Sequence, residues 1–166
     1  MTEVRTLWLM RHAKAVDVVP GGHDVDRPLA PSGQSQSTAA GRWLAQQSDL
    51  PSLVVCSPSV RTRETTAGLG LEVEAVYAPR VWDAGTDDLR AELADVDDAV
   101  TSVLVVGHAP GIPALVDELT DRGASSPELV AELTRHFPTA TLAKLELTPP
   151  WSDLRPGRLV ALHLER

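Results

Sequence analysis

Several things are scarce in this chain. There is one cysteine, Cys56, so no internal disulfide framework and no Cys-rich zinc or iron–sulfur site can form. Positive charge is short: 15 Lys+Arg stand against 23 Asp+Glu, a formal net charge of −8. An acidic field of that kind argues against nucleic-acid and anionic-membrane partners. Long apolar runs are missing. The segment before Arg11 offers only Leu7–Met10, too short for a signal-peptide core or a membrane span. No repeat, low-complexity tract or long linker interrupts the 166 residues. No G-x-G-x-x-G follows an expected strand, and no G-x-x-x-x-G-K-[ST] occurs, which removes dinucleotide and P-loop readings. The expectation is one cytoplasmic domain over residues 1–166, acting as a monomer or weak dimer.

Three short β-rich runs stand out: Leu7–Met10, Leu53–Cys56 and Val103–Val106. Each is continuous rather than alternating, the pattern of strands buried on both faces of a parallel sheet. Leu71–Ala75 alternates and predicts a strand nearer an edge, and Leu142–Leu147 and Leu159–Leu164 predict two more. Helical spacing fills the gaps at Gln34–Gln47, Val60–Leu69, from Thr86 through Val96, and at Pro113–Thr120. Another helix opens at Ser126-Pro127-Glu128, with Ser as cap and Pro at the first helical position. Strands alternating with helices predict a three-layer α/β/α sandwich with a mixed, mostly parallel central sheet.

Ligands of such sheets bind beyond the carboxyl ends of the strands. Arg11-His12 follows the first run, Ser57-Pro58-Ser59-Val60-Arg61 the second, and Gly107-His108-Ala109-Pro110-Gly111 the third. If the runs are neighbours, two arginines and two histidines meet at one edge. A single Arg or His at a strand end is usually an ion-paired or structural residue; four at equivalent positions point to a site. The chemistry they suit is phosphoryl transfer, where catalysis is mostly positioning and charge stabilisation. Guanidinium forks bind phosphoryl oxygens bidentately. Two such forks and a protonated histidine would hold the group without a metal, leaving the second histidine to attack as neutral imidazole. Nearby arginine charge is expected to keep that histidine unprotonated.

LWLMRHAKA resembles the signature of the histidine phosphatase superfamily, SPSVRTRETTAG its second-arginine motif, and VVGHAPGI its second-histidine motif. RHAKA, DRPLAPSG at 26–33 and FPTATLAKLEL at 137–147 resemble the small SixA-type branch, which removes phosphate from phosphohistidine in signalling proteins. The resemblance implies a phosphoglycerate mutase-like fold, a transiently phosphorylated His12, and Arg11, Arg61 and His108 as phosphate ligands. It implies no metal and no cofactor, and a phosphohistidine protein or a small phosphomonoester as substrate.

Two positions depart from the family pattern. Ala109 stands where Asn is common and Glu64 where Gln is common; the candidate general acid implied by the resemblance is Asp83 in VWDAGTDDL, where relatives have Glu or Asp. Asp83 is either that acid or a cap for the helix beginning near Thr86. Lys14 and Arg63 read as solvent-facing, and Arg27 as the ion-pair partner of Asp24 or Asp26. His23, His136 and His163 lack metal-ligand spacing. A cysteine phosphatase needs its Cys, five intervening residues and then an Arg; after Cys56 that position is Thr62, with Arg61 and Arg63 on either side. A catalytically silent phosphohistidine-binding module is the remaining alternative, against which both histidines count.

Overall fold

The three apolar runs become adjacent parallel strands. The computed structural model, which describes residues 3–165, holds one six-stranded sheet in the order β3-β2-β4-β1-β5-β6. Its strands are β1 (Arg5–Arg11), β2 (Leu53–Cys56), β3 (Ala75–Tyr77), β4 (Ser102–Gly107), β5 (Leu142–Leu147) and β6 (Arg158–His163). β3, β2, β4 and β1 are mutually parallel, while at the far edge β5 pairs antiparallel with β1 and β6 antiparallel with β5. The helices are α1 (Pro31–Ala45), α2 (Val60–Gly68), α3 (Thr86–Ala94), α4 (Gly111–Leu119) and α5 (Pro127–Arg135).

The continuous apolar character of β1 has a direct cause. Leu7 and Leu9 pack with Leu89, Leu93, Ile112, Leu115 and Leu133, so α3, α4 and α5 cover one face. Trp8 and Met10 point the other way, to Ala40, Leu44 and Leu69 beneath α1 and α2. With both faces covered there is no solvent side to demand a polar residue. The result is the expected three-layer sandwich. α1 and α2 sit unusually close: a Cβ on Gly41 would overlap the Leu69 carbonyl oxygen.

Several boundaries move. Residues 71–74 are not a strand; β3 begins at Ala75, which pairs with Val54 near the start of a four-residue β2. So short a partner offers nothing for the earlier residues to pair with, and Leu71 and Val73 instead pack on the α1–α2 face from an irregular segment. α1 starts at Pro31, a favoured first position, rather than at Gln34. α4 starts at Gly111, not Pro113. α5 opens as expected, with the Ser126 hydroxyl accepting from Leu129 N–H. Among the described residues no helix is long and apolar enough to cross a membrane.

Candidate active site

Strand register brings the site together. Met10 pairs with Val106 and Val106 with Cys56, so β1, β4 and β2 end at one level. Arg11, His12, Ser57 and His108 emerge there side by side. Backbone bonds hold the strand ends: His12 N–H donates to Gly107 O at 2.9 Å, and Ser57 N–H to Val106 O at 3.1 Å. Arg61 comes one helical turn later, on α2, whose cap is Ser59. Arg11, His12, Arg61 and His108 border a cavity of about 320 Å³ together with Asp24, Arg27, Trp82, Asp83, Ala84, Ala109 and Pro110.

The two imidazole rings lie 5.3 Å apart, centroid to centroid. His12 Nδ1 is 2.7 Å from the carbonyl oxygen of Ala13. A carbonyl can only accept, so the proton sits on Nδ1 and the Nε2 lone pair is free. Burial, and then the charges of Arg61 and Arg11, lower the His12 pKa to about 4; the Ala13 bond opposes this. The imidazole is therefore neutral at pH 7, as expected, although burial outweighs the arginines as the cause. His108 is shifted further. Its pKa is lowered to about 3, chiefly by burial and then by His12 and Arg61. The His108 imidazole is therefore neutral at pH 7; the protonated partner foreseen belongs to the phosphate-bound site. Its Nε2 lies 2.8 Å from the Ser57 hydroxyl, and its ring meets Trp82 edge-on at 5.1 Å.

The guanidiniums are anchored by groups distant in the chain. Arg11 donates to the carbonyl of Phe137 at 2.9 Å, from the segment leading into β5. Arg61, only 6% exposed, donates through Nη1 to the Asp24 carbonyl at 2.7 Å and through Nη2 to its carboxylate at 3.0 Å. The Arg61 guanidinium carbon lies 5.2 Å from the Trp82 ring centroid. Arg27 pairs with Asp24 as anticipated, at 2.9 Å, yet also lines the cavity. Hydrogen bonds from Arg27 and Arg61 hold the Asp24 carboxyl below the usual carboxylate range.

Asp83 lies in the cavity wall, exposed, with a left-handed φ of 54°. It does not cap α3. The Asp88 carboxylate accepts from Gly85 N–H at 3.1 Å and fills that role. A Cβ on Gly111 would overlap the Ala84 carbonyl oxygen, so this glycine lets α4 press against the Trp82–Ala84 segment. Lys14 is exposed and outside the cavity lining; Arg63 lies over Tyr77 at 4.1 Å. Cys56 is a buried thiol whose pKa burial raises, inert by position. His23 and His136 are exposed, and His163 packs on Trp43. Among the described residues no cluster of three or more His, Cys, Asp or Glu could hold a metal ion. Sequence reading did not assign roles to Ser57, Trp82 or the Phe137 carbonyl. Only Ser57 left a trace, as the residue directly after a buried strand.

This fold and edge constellation define a class, and the comparisons agree. The model of the histidine phosphatase superfamily (branch 1) matches residues 7–89, and the chain belongs to that superfamily. It falls in the SixA-type branch. Phosphohistidine phosphatase SixA of Escherichia coli (strain K12) is 30% identical over 119 residues, 68% of this chain and 73% of that one. The uncharacterized protein Rv1276c of Mycobacterium tuberculosis is 37% identical over 95% of this chain and its own full length. A Nakamurella multipartitia structure assigned as a SixA phosphohistidine phosphatase has a TM-score of 0.85 at 39% identity, covering 97% of this chain and 96% of that one. The protein histidine phosphatase SixA complexed with tungstate has a TM-score of 0.75 at 26% identity, covering 95% of both chains. The chain is a phosphatase of this superfamily.

Proposed function

We propose that this phosphatase removes the phosphoryl group from phosphohistidine in a protein, by two displacements at His12 with no metal. The observation that carries the reading is the His12 ring: neutral, its proton held on Nδ1 by Ala13 O at 2.7 Å, and its Nε2 lone pair free beside two guanidiniums. In the first step Nε2 attacks phosphorus, the P–N bond of the substrate breaks, and the substrate imidazole leaves with a proton. In the second, water attacks phospho-His12, inorganic phosphate departs and His12 returns to neutral imidazole. Arg11 and Arg61 hold the phosphoryl oxygens. His108 takes up a proton as the anion arrives, since two added negative charges favour its imidazolium. The whole chain serves as one catalytic domain, since a single sheet carries the site.

Two further features support a protein substrate. Asp24, Asp83, Ala109 and Pro110 around the mouth are all exposed, so a side chain carried on another protein can reach His12. A similar protein, the histidine phosphatase SixA, takes tungstate, a tetrahedral oxyanion. A second reading, a small-molecule phosphomonoesterase, is favoured by one observation: Asp83 lines the cavity, and its side chain in the carboxylic acid form would give a proton to a departing alkoxide. The experiment that separates them measures kcat/KM, in chelator, on a phosphohistidine-bearing phosphotransfer protein and on simple alkyl phosphates. The first reading predicts a preference of at least about a hundredfold for the protein; the reverse preference overturns it.

A further inference from the structure

A phosphate pocket has little use for a carboxylate. Two negative charges repel, and the Asp24 carboxylate sits in the same cavity wall as Arg11, Arg27 and Arg61. Its two oxygens are divided, Oδ1 on Arg27 at 2.9 Å and Oδ2 on Arg61 at 3.0 Å. Asp24 also supplies its backbone carbonyl to Arg61 at 2.7 Å, and Arg27 is tied through Nε to Val16 O at 2.7 Å. The backbone bond alone would anchor Arg61, so the carboxylate is not needed merely to hold the fork. Its side chain is 49% exposed while that of Arg61 is 7% exposed. The anion therefore stands at the mouth and the cation at the floor. A bound phosphoryl group would meet the floor; whatever it is attached to would meet the mouth.

We propose that Asp24 is a specificity-determining residue, which favours phosphoryl donors with a cationic or neutral leaving group and rejects those carrying a second anion beside the phosphate. The inference rests on the phosphatase reading and refines it. Three guanidiniums and the carboxylates of Asp24 and Asp83 leave the cavity with a small positive excess, which a phosphate dianion already outweighs. A substrate carboxylate at the mouth adds repulsion that nothing compensates. A protonated imidazole or an ammonium group gains an attractive partner instead, and imidazolium is the form in which phosphohistidine loses its phosphoryl group most readily.

The test uses the full chain and three aryl phosphates that differ only in the para substituent: aminomethyl, methyl and carboxyl. For a unit charge about 6 Å from a carboxylate in a half-exposed site, Coulomb's law gives about tenfold in kcat/KM per unit of substrate charge. The wild-type order is then aminomethyl over methyl over carboxyl. Asp24→Asn is expected to shrink the aminomethyl-to-carboxyl ratio at least tenfold, and Asp24→Glu to retain the order. Intrinsic leaving-group differences cancel between variant and wild type. Raising salt from about 0.05 M to about 0.5 M should compress the wild-type ratio as well, a readout that needs no variant. A purely structural Asp24 would lower all three substrates equally in Asp24→Asn and leave the ratio insensitive to salt, and either result overturns the proposal. If wild type turns over none of the three yet dephosphorylates a phosphohistidine-bearing protein, this inference alone is overturned; if it acts on neither, the phosphatase reading falls and takes this inference with it. Turnover without the charge order removes this inference alone.

Discussion

Acidification is the perturbation whose outcome the two buried histidines determine most directly. In the unfolded chain both titrate near the ordinary value of 6.5, whereas in the folded chain His12 falls to about 4 and His108 to about 3. The unfolded state therefore binds protons that the folded state refuses, so stability drops as pH falls below about 6.5 and levels only below the folded values. At pH 4.5 each ring forgoes nearly two units of proton affinity, about 2.5 kcal/mol at 1.36 kcal/mol per unit. Partial access to solvent and the coupling between the rings reduce the pair from about 5 to about 3 kcal/mol. That is a large share of the stability of a domain this size. The assay is urea unfolding of wild type and of the His12→Gln/His108→Gln double variant at pH 7.5 and 4.5. Carboxylates, Asp24 among them, contribute equally to both proteins and drop out of the difference. The variant should lose about 3 kcal/mol less than wild type over this range. Parallel losses in the two proteins would refute the claim that these imidazoles are held neutral by burial.

Three other outcomes follow from the geometry. Ser57→Ala removes the 2.8 Å partner of His108 and should lower kcat/KM about tenfold, the size expected for one orienting hydrogen bond, measured on an aryl phosphate. Asp83→Asn should cost about a hundredfold on an alkyl phosphate and little on p-nitrophenyl phosphate, whose leaving group needs no proton; no loss on either removes Asp83 from the mechanism. Gly111→Ala drives a methyl into the Ala84 carbonyl and should cost about 2 kcal/mol of stability in denaturant unfolding. It should also lower activity, since Trp82 and Asp83 share the displaced segment.

The core strands were readable because burial on both faces forces an unbroken apolar run, and Arg11, His12 and His108 follow such runs within two residues. Arg61 was readable because α2 begins at once after Ser59. The anchors were harder to see. Phe137 meets Arg11 across 126 positions, and it does so through a backbone carbonyl, which no residue type announces. Asp24 was visible only as a neighbour of Arg27; its bonds to Arg61 span 37 positions. β3 was misplaced by a few residues because alternation in 71–75 reflects packing of Leu71 and Val73 without strand pairing. How far burial and the neighbouring ring lower the His108 pKa was not legible either, since sequence spacing conveys neither.

The central claim is that phosphorus passes through His12. A phosphohistidine-bearing protein labelled with ³²P, mixed briefly with the enzyme and quenched in alkali, tests it most directly. The account predicts label on the enzyme that survives alkali, is lost in acid, maps to the peptide containing His12 and is absent from His12→Gln. Label that withstands acid, or that persists undiminished in His12→Gln, would contradict it.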